Sequence, residues 1–220
     1  MKIKQSLNLR LLLTMGMIIG LFISCGKDNG NNNTEPTTPV PEEGVIINGL
    51  RWATRNVGSS GRFINKPENA GTFYQWNSKK AWSSSNTSEI TGWHDADLSG
   101  DTWEKANDPS PAGWRIPTLD EIKTLLDPDK VSSEWTTENN INGRKFTDKA
   151  TGNSIFLPAS GFREYGMGEL RNKDLQGRYW SSTQSSDDSA WFLDFSSSSA
   201  EWSSFYNRRN GFSIRCVAEE

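Results

Sequence analysis

The residues best suited to contact another molecule lie near the carboxyl terminus, in and just before "SSFYNRRNGFSIRC" at 203–216. They combine flat apolar rings with planar hydrogen-bonding groups: Trp202, Tyr206, Asn207, Arg208 and Arg209. Stacking area beside a few directed hydrogen bonds is the chemistry by which proteins recognise carbohydrates and peptide loops. The opposing interpretation is that Trp202 and Phe205 fill the core while both arginines are solvated. Taken singly, these residues do not decide between the two.

A second motif, "HDADLSGDTWE" at 94–104, imitates the first half of a calcium loop. Side-chain oxygens occur at alternate positions: Asp95, Asp97, Ser99 and Asp101. Calcium prefers such hard oxygen ligands, and Gly100 would allow the sharp turn between them. The motif then fails, because Ala106 stands at the twelfth position, where the calcium loop has glutamate. We therefore predict a solvated acidic turn and no cofactor, with a structural calcium ion as the alternative.

The residues do not favour catalysis. Nucleophilic triads need a histidine, and the one histidine, His94, has no nucleophile signature such as G-x-S-x-G near it. Paired carboxylates could hydrolyse a glycosidic bond, but each acidic pair in the sequence also has an ordinary structural explanation. Asp120/Glu121 fits the charge preference of a helix N-terminus, and Asp187/Asp188 fits a solvated loop. We predict no enzymatic activity. A glycan-acting hydrolase ranks third among the functional hypotheses, behind a binding protein and a structural subunit.

The amino-terminal segment predicts export and lipidation. Residues 1–24 join three early basic side chains to the apolar run "LLLTMGMIIGLFIS", as secretory signals do. The sequence "LFISC" is similar to a bacterial lipoprotein signal, in which the cysteine, here Cys25, is lipidated after cleavage. An ordinary cleaved signal followed by an incidental cysteine is the alternative. Residues 25–44 contain almost no apolar side chain, so they predict a disordered tether.

Residues 45–220 are long enough for one domain with a proper core. The chain has 24 Lys and Arg against 27 Asp and Glu, and three of the basic residues lie before residue 11. This acidic balance, without any Lys/Arg-rich run, argues against nucleic acid as a partner. All ten tryptophans lie within the domain, as core residues or as interface anchors. Cys216 alternates with Phe212 and Ile214, which predicts a small buried side chain.

Short strands separated by Gly, Ser and Asn dominate the domain, and one hairpin is predicted to turn at Asn48–Gly49. Further strands are predicted at 71–76, 153–162, 179–183, 189–195 and 211–217. In 189–195, Trp191, Leu193 and Phe195 share one face, which is the pattern of a half-buried strand. A helix is predicted from the capping box of Thr118 and Glu121 and from the apolar stripe that follows it. A shorter helix is predicted at 102–108. Because the helices fall early and most strands late, we predict an α+β fold, with short antiparallel strands and one or two helices in the first half.

Six sequence blocks occur in order along the domain: "GLRWATRNVG", "GTFYQWN", "WEKANDPSPAGWRIPTLDEI", "FLPASGFRE", "GRYWSST" and "GFSIRCV". Together they resemble the Fibrobacter succinogenes major paralogous domain, which is common in Bacteroidetes lipoproteins. The resemblance implies a C-type-lectin-like single domain, in which terminal strands pair and a long loop region presents ligands. Retroelement receptor proteins of that fold have variable binding residues between the last two blocks. The resemblance therefore favours 198–210 as a ligand-binding face and 212–217 as a core strand.

We expect a lipid-anchored, non-enzymatic binding or adhesion protein of the outer membrane, displayed on the cell surface. Its partner would be a glycan or a protein surface, its domain would be monomeric, and only the lipid anchor would enter the membrane. The rival hypothesis is a structural or tip subunit of a surface filament or outer-membrane complex, which would bury the same aromatic side chains permanently. Self-association and a large exposed apolar patch would favour the rival.

Overall fold

The computed structural model describes residues 44–85, 90–93 and 100–220. The predicted signal and tether, with Cys25, lie outside the described residues. The strands of the first part are β1 (Val45–Ile47), β2 (Leu50–Trp52), β3 (Thr72–Phe73), β4 (Trp82–Ser83) and β5 (Trp114–Arg115). The helical elements are a 3-10 turn (Lys105–Asn107) and α1 (Leu119–Leu125). The later strands are β6 (Val131–Glu138), β7 (Ile141–Asp148), β8 (Ser154–Pro158), β9 (Phe162–Arg163), β10 (Leu170–Arg171), β11 (Gln176–Ser186), β12 (Ser189–Ser196), β13 (Ala200–Ser203) and β14 (Val217–Ala218).

These strands pair in five small antiparallel sheets. The strand orders are β1-β2-β14-β5, β3-β4, β6-β7-β8, β10-β9 and β11-β12-β13. The predicted hairpin at Asn48–Gly49 is confirmed, because β1 and β2 pair in register across these two residues. Both residues have positive φ, as a two-residue hairpin turn requires, and asparagine and glycine tolerate that conformation best.

The predicted α+β class is wrong, because the described residues form a mainly β domain with α1 as their one α-helix. The helix predicted at 102–108 is a single 3-10 turn, in which no residue is buried and no side chain caps the N-terminus. So short a segment, with no buried face and no cap, gains too little to propagate a helix. The prediction also missed the hairpin of β6 and β7. Its turn residues, Asn139 and Asn140, both adopt positive φ.

The helix α1 begins at the predicted capping box. The N–H of Glu121 donates to Thr118 Oγ1 at 3.3 Å, and the N–H of Thr118 donates to the Glu121 carboxylate at 2.7 Å. Arg115 of β5 binds the same carboxylate through two hydrogen bonds of 2.8 and 2.6 Å. The start of α1 is thereby fixed to the sheet that contains the terminal strands. No described helix is long and apolar enough to cross a membrane.

The sheet β11-β12-β13 contributes to the core on both of its faces. Phe195 of β12 packs in one hydrophobic cluster, which also contains the buried side chains of α1. Phe192 packs in a second cluster with Trp180 and Phe212, whose rings are stacked with centroids 4.0 Å apart. The half-buried alternation predicted for 189–195 therefore underestimates the burial of this strand. Of the three residues predicted to share one face, Leu193 and Phe195 are buried and only Trp191 is partly exposed.

The segment predicted as a strand at 211–217 is a regular strand only at β14, which lies between β2 and β5. The residues before β14 cross the core and are buried on both sides. Burial on the second side is possible because each nitrogen of the Arg215 guanidinium donates a hydrogen bond. Its Nε donates to Asn56 Oδ1 at 2.9 Å, and its two Nη atoms donate to the carbonyls of Ala53 and Phe156 at 3.2 and 3.0 Å. Burial lowers the pKa of Arg215 to about 10.

Candidate functional site

Trp202 lies on β13, at the edge of the sheet β11-β12-β13, and 46% of its surface is exposed. Its ring meets that of Trp191 in an edge-to-face arrangement, with centroids 5.1 Å apart. Lys123 of α1 brings its ammonium nitrogen to 5.6 Å from the Trp202 centroid, within the range of a cation–π contact. We call these three residues the Trp202 patch. The patch presents a large ring at the surface beside the ammonium of Lys123, which is ion-paired with Asp120 at 2.9 Å.

Phe205 follows in the loop after β13, and 92% of its surface is exposed. The interpretation in which Phe205 fills the core is therefore excluded. Its backbone N–H donates to Ser203 Oγ at 3.4 Å, which ties the loop to the end of β13. The ring makes no aromatic pair with another described residue. Two large aromatic side chains within four residues thus face solvent.

Tyr206, in contrast, packs inward. The guanidinium carbon of Arg178 lies 3.7 Å from the Tyr206 centroid and 3.9 Å from the Phe162 centroid, so the cation is held between the two rings. Asp194 approaches the same guanidinium at 3.6 Å, which is an ion pair but too long for a hydrogen bond. Burial raises the pKa of Asp194, and the charge of Arg178 offsets only part of that effect. Tyr206 therefore supports the loop from the core side.

Asn207 and Arg208 organise the backbone of the predicted binding segment. The Asn207 side chain accepts the N–H of Arg209 at 2.9 Å, which closes a tight turn. The backbone of Arg208 bonds to Asp188 and to Trp76, at 2.8 and 2.9 Å. Its guanidinium donates to the Gly100 carbonyl at 2.9 Å and lies 5.5 Å from the Trp76 ring. Both residues thus have structural partners, whatever they bind in addition.

Of the five predicted residues, Arg209 is the one whose charged side chain has no partner among the described residues. Its backbone carbonyl accepts a hydrogen bond from Gln75 Nε2 at 2.9 Å, which anchors the main chain. Its guanidinium makes no hydrogen bond or ion pair with the described residues. The structure thus divides the five predicted residues by position. Trp202 and Arg209 offer free groups, Tyr206 packs inward, and Asn207 and Arg208 form the frame.

The predicted calcium motif is described only in part. Asp95, Asp97 and Ser99 lie outside the described residues, and Asp101 is exposed. Among the described residues, no three His, Cys, Asp or Glu side chains are grouped as a metal site would require. The predicted solvated turn, and its alternative of a structural calcium ion, both stay untested predictions.

Cys216 is a buried thiol, as its alternation with apolar residues predicted. Its sulfur lies 3.2 Å from Ser110 Oγ. Burial raises the pKa of Cys216 to about 12. Because the thiolate is the reactive form, this cysteine is unsuited to nucleophilic chemistry.

Sequence reasoning missed two members of the Trp202 patch and left open whether Phe205 is buried. The alternation along β12 places Trp191 on one face with Leu193 and Phe195, but it gives no sign of the contact with Trp202. Lys123 is far from Trp202 in the sequence, and only the packing of α1 against the sheet brings them together. The buried position of Arg178 could not be predicted from the local sequence, because the four rings around it come from separate segments.

The fold and the surface define a mainly β domain whose first and last strands share a sheet and whose exposed aromatic side chains lie at the edge of another. The family model of the Lcl C-terminal domain matches residues 48–218, and the chain belongs to this family. The matched range covers almost all of the described residues. No curated protein and no solved structure matches the chain.

Proposed function

We propose that the protein is a lipid-anchored, surface-displayed binding protein that recognises a glycan or a protein surface through 198–210. The observation that carries the proposal is the exposure of two large rings in this segment, Trp202 and Phe205. Exposed hydrophobic side chains scattered singly are ordinary, but rings grouped on one segment beside charged groups are typical of recognition surfaces. No catalytic group is required for this role.

Each residue of the segment has a part in the proposed site. Trp202 stacks on the apolar face of a sugar ring or on a side chain of a protein partner, and Trp191 fixes its orientation from behind. Arg209 supplies a positive charge and hydrogen-bond donors at the surface, and Lys123 adds an ammonium that is also paired with Asp120. The frame formed by Asn207 and Arg208 keeps the loop rigid, which reduces the entropy that binding would cost.

The same proposal includes a more specific family relationship and the location of the protein in the cell. The order of the sequence blocks supports a relationship to the Fibrobacter succinogenes major paralogous domain and, through it, to C-type-lectin-like binding proteins. The first and last strands, which share a sheet, agree with that relationship. Residues 1–24 and Cys25 support lipidation and attachment to the outer membrane, with the domain facing outward.

One observation favours a second candidate, a structural subunit of a surface assembly. Phe205 has no polar side-chain atom and is almost fully exposed, so it gains most from complete burial in a protein interface. A permanent interface would make the protein oligomeric at micromolar concentration, whereas a receptor would be a monomer. Light scattering on the purified protein distinguishes the two.

The proposal is tested by screening the protein against a broad panel of glycans and glycoproteins. Trp202→Ala and Phe205→Ala are measured beside Tyr165→Ala, which removes another exposed aromatic ring outside the segment. We expect Trp202→Ala to lose binding with a melting temperature close to that of the wild type, and Tyr165→Ala to bind normally. Equal binding by all variants would contradict the proposed site.

A further inference from the structure

A cleft of about 350 Å³ opens on the domain, and none of its lining residues belongs to 198–210. Its apolar lining comes from four separate segments: Ile64, Ala70, Ile141, Pro158 and Ala159. Three charged side chains line it as well, Glu68, Lys173 and Asp174. A volume of this size is within the range of sites for small ligands or single side chains. The cleft therefore has room for a ligand group and an apolar wall against which it can pack.

Glu68 is the unusual residue of this cleft. Only 8% of its surface is exposed, and its one hydrogen bond with the described residues comes from Asn139 Nδ2 to Oε1 at 3.1 Å. No Lys, Arg or His of the described residues makes an ion pair with it. A carboxylate this buried normally has a cationic partner, because burial of an unpaired charge is costly.

The walls of the cleft are fixed before any ligand arrives. On one side, Asn56 Nδ2 donates to the Ala70 carbonyl at 2.8 Å, and Ser84 Oγ donates to the Gly71 carbonyl at 2.6 Å. On the other side, the N–H of Asp174 donates to the Ala159 carbonyl at 2.8 Å. Asp174 itself has a φ of +64°, a conformation that is uncommon outside glycine. A site held by such bonds loses little freedom when it binds.

We propose that this cleft binds the side chain of a lysine or arginine of a polypeptide partner. The charged end pairs with Glu68, whose second oxygen is unused by the described residues, and Asp174 adds a second negative charge at the exposed rim. The methylenes of the same side chain pack on Ile64 and Ile141. The negative charges of the cleft outnumber the single positive charge of Lys173, which is exposed and can turn away. This site does not depend on the function proposed for 198–210.

The experiment follows the isoleucine methyl groups of the intact protein by NMR during titration. The probe is Nα-acetyl-lysine N-methylamide, and the Nε-acetylated form of the same compound is its uncharged match. We expect saturable shifts of the Ile64 and Ile141 methyl signals with the charged probe and not with the acetylated one. n-Butylammonium is titrated in parallel. Binding of this free amine without binding of the lysine derivative would overturn a polypeptide side chain as the ligand.

Three variants test the role of the carboxylates. Glu68→Gln keeps the acceptor for Asn139 and removes the charge, and we expect it to bind the probe roughly tenfold more weakly. Glu134→Gln makes the same change at an exposed position of β6 and should bind as the wild type does. Asp174→Asn, which tolerates the positive φ, gives a second reading should Glu68→Gln fail to fold, with an expected loss of about threefold. Undiminished binding in both cleft variants would overturn the proposal, as would identical shifts produced by calcium chloride alone.

Discussion

At the scale of single residues, the most informative side chain is Arg178. It is almost fully buried, yet its Nε and one Nη find no hydrogen-bond partner among the described residues. The guanidinium is held instead by the ring faces of Tyr206 and Phe162, and Asp194 is its counter-charge at 3.6 Å. A planar, weakly hydrated cation suits such a place because it can stack on aromatic faces. The arginine thereby connects the loop after β13 to the core.

Arg178→Lys is expected to lower the free energy of unfolding by roughly 2 kcal/mol, because a compact ammonium cannot stack on two rings and needs more hydration. Urea unfolding measures the loss. Arg171→Lys, at an arginine in exposed ion pairs with Glu164 and Glu169, is the matched control and should change stability little. If Arg178→Lys unfolds at the same urea concentration as the control, stacking is not what holds this residue.

At the scale of elements, the start of α1 depends on one carboxylate. Burial alone would raise the pKa of Glu121, but hydrogen bonds from Arg115 and Thr118 and the charge of Arg115 together hold it below the usual value of 4.5. A lowered folded-state pKa means that the ionised group stabilises the fold above the unfolded-state pKa. That contribution is lost as the pH falls through the folded-state value.

Glu121→Gln should therefore cost roughly 1–2 kcal/mol at pH 7, through the lost ion pair and the weakened cap. The difference from the wild type should shrink as the pH falls below about 4. Thermal unfolding of both proteins between pH 7 and pH 3 checks this, with Glu134→Gln at an exposed position of β6 as control. A difference that stays constant across this range would show that the charge of Glu121 contributes nothing.

The elements show which parts of the fold the sequence could predict. The Asn48–Gly49 turn and the capping box of α1 are local chemistry, and both were predicted correctly. The hairpin of β6 and β7 was missed because its strands are rich in polar residues and carry only a weak alternation. The interior course of 211–216 could not be predicted, because Arg215 is satisfied by Asn56 and by two carbonyls from distant segments.

For the candidate site as well, features of the local sequence could be predicted, whereas contacts between distant segments could not. Trp202 and Arg209 were selected as candidates from their types and from the polar sequence around them, and their binding role stays a prediction. The inward packing of Tyr206 was not predicted, because its partner Arg178 lies 28 positions earlier in the printed sequence. The same is true of Lys123, which reaches Trp202 only through the packing of α1 on the sheet.

At the scale of the whole molecule, the proposal joins a membrane anchor, a tether and a binding domain. Cys25→Ser should abolish incorporation of a radiolabelled fatty acid, because the thiol to which the lipid would be attached is removed. Cys216→Ser is the control and should remain lipidated. Fatty-acid incorporation that survives Cys25→Ser would contradict lipidation at this residue.

The central claim is that 198–210 recognises a ligand through the exposed ring of Trp202. The most direct measurement is the affinity of the wild type, Trp202→Phe and Trp202→Ala for the glycan or glycoprotein that binds best in the panel, with melting temperatures taken on the same samples. We expect Trp202→Phe to keep most of the affinity and Trp202→Ala to lose about tenfold or more, at nearly constant melting temperature. Unchanged affinity in Trp202→Ala, or a loss that only follows a large fall in melting temperature, would contradict the claim.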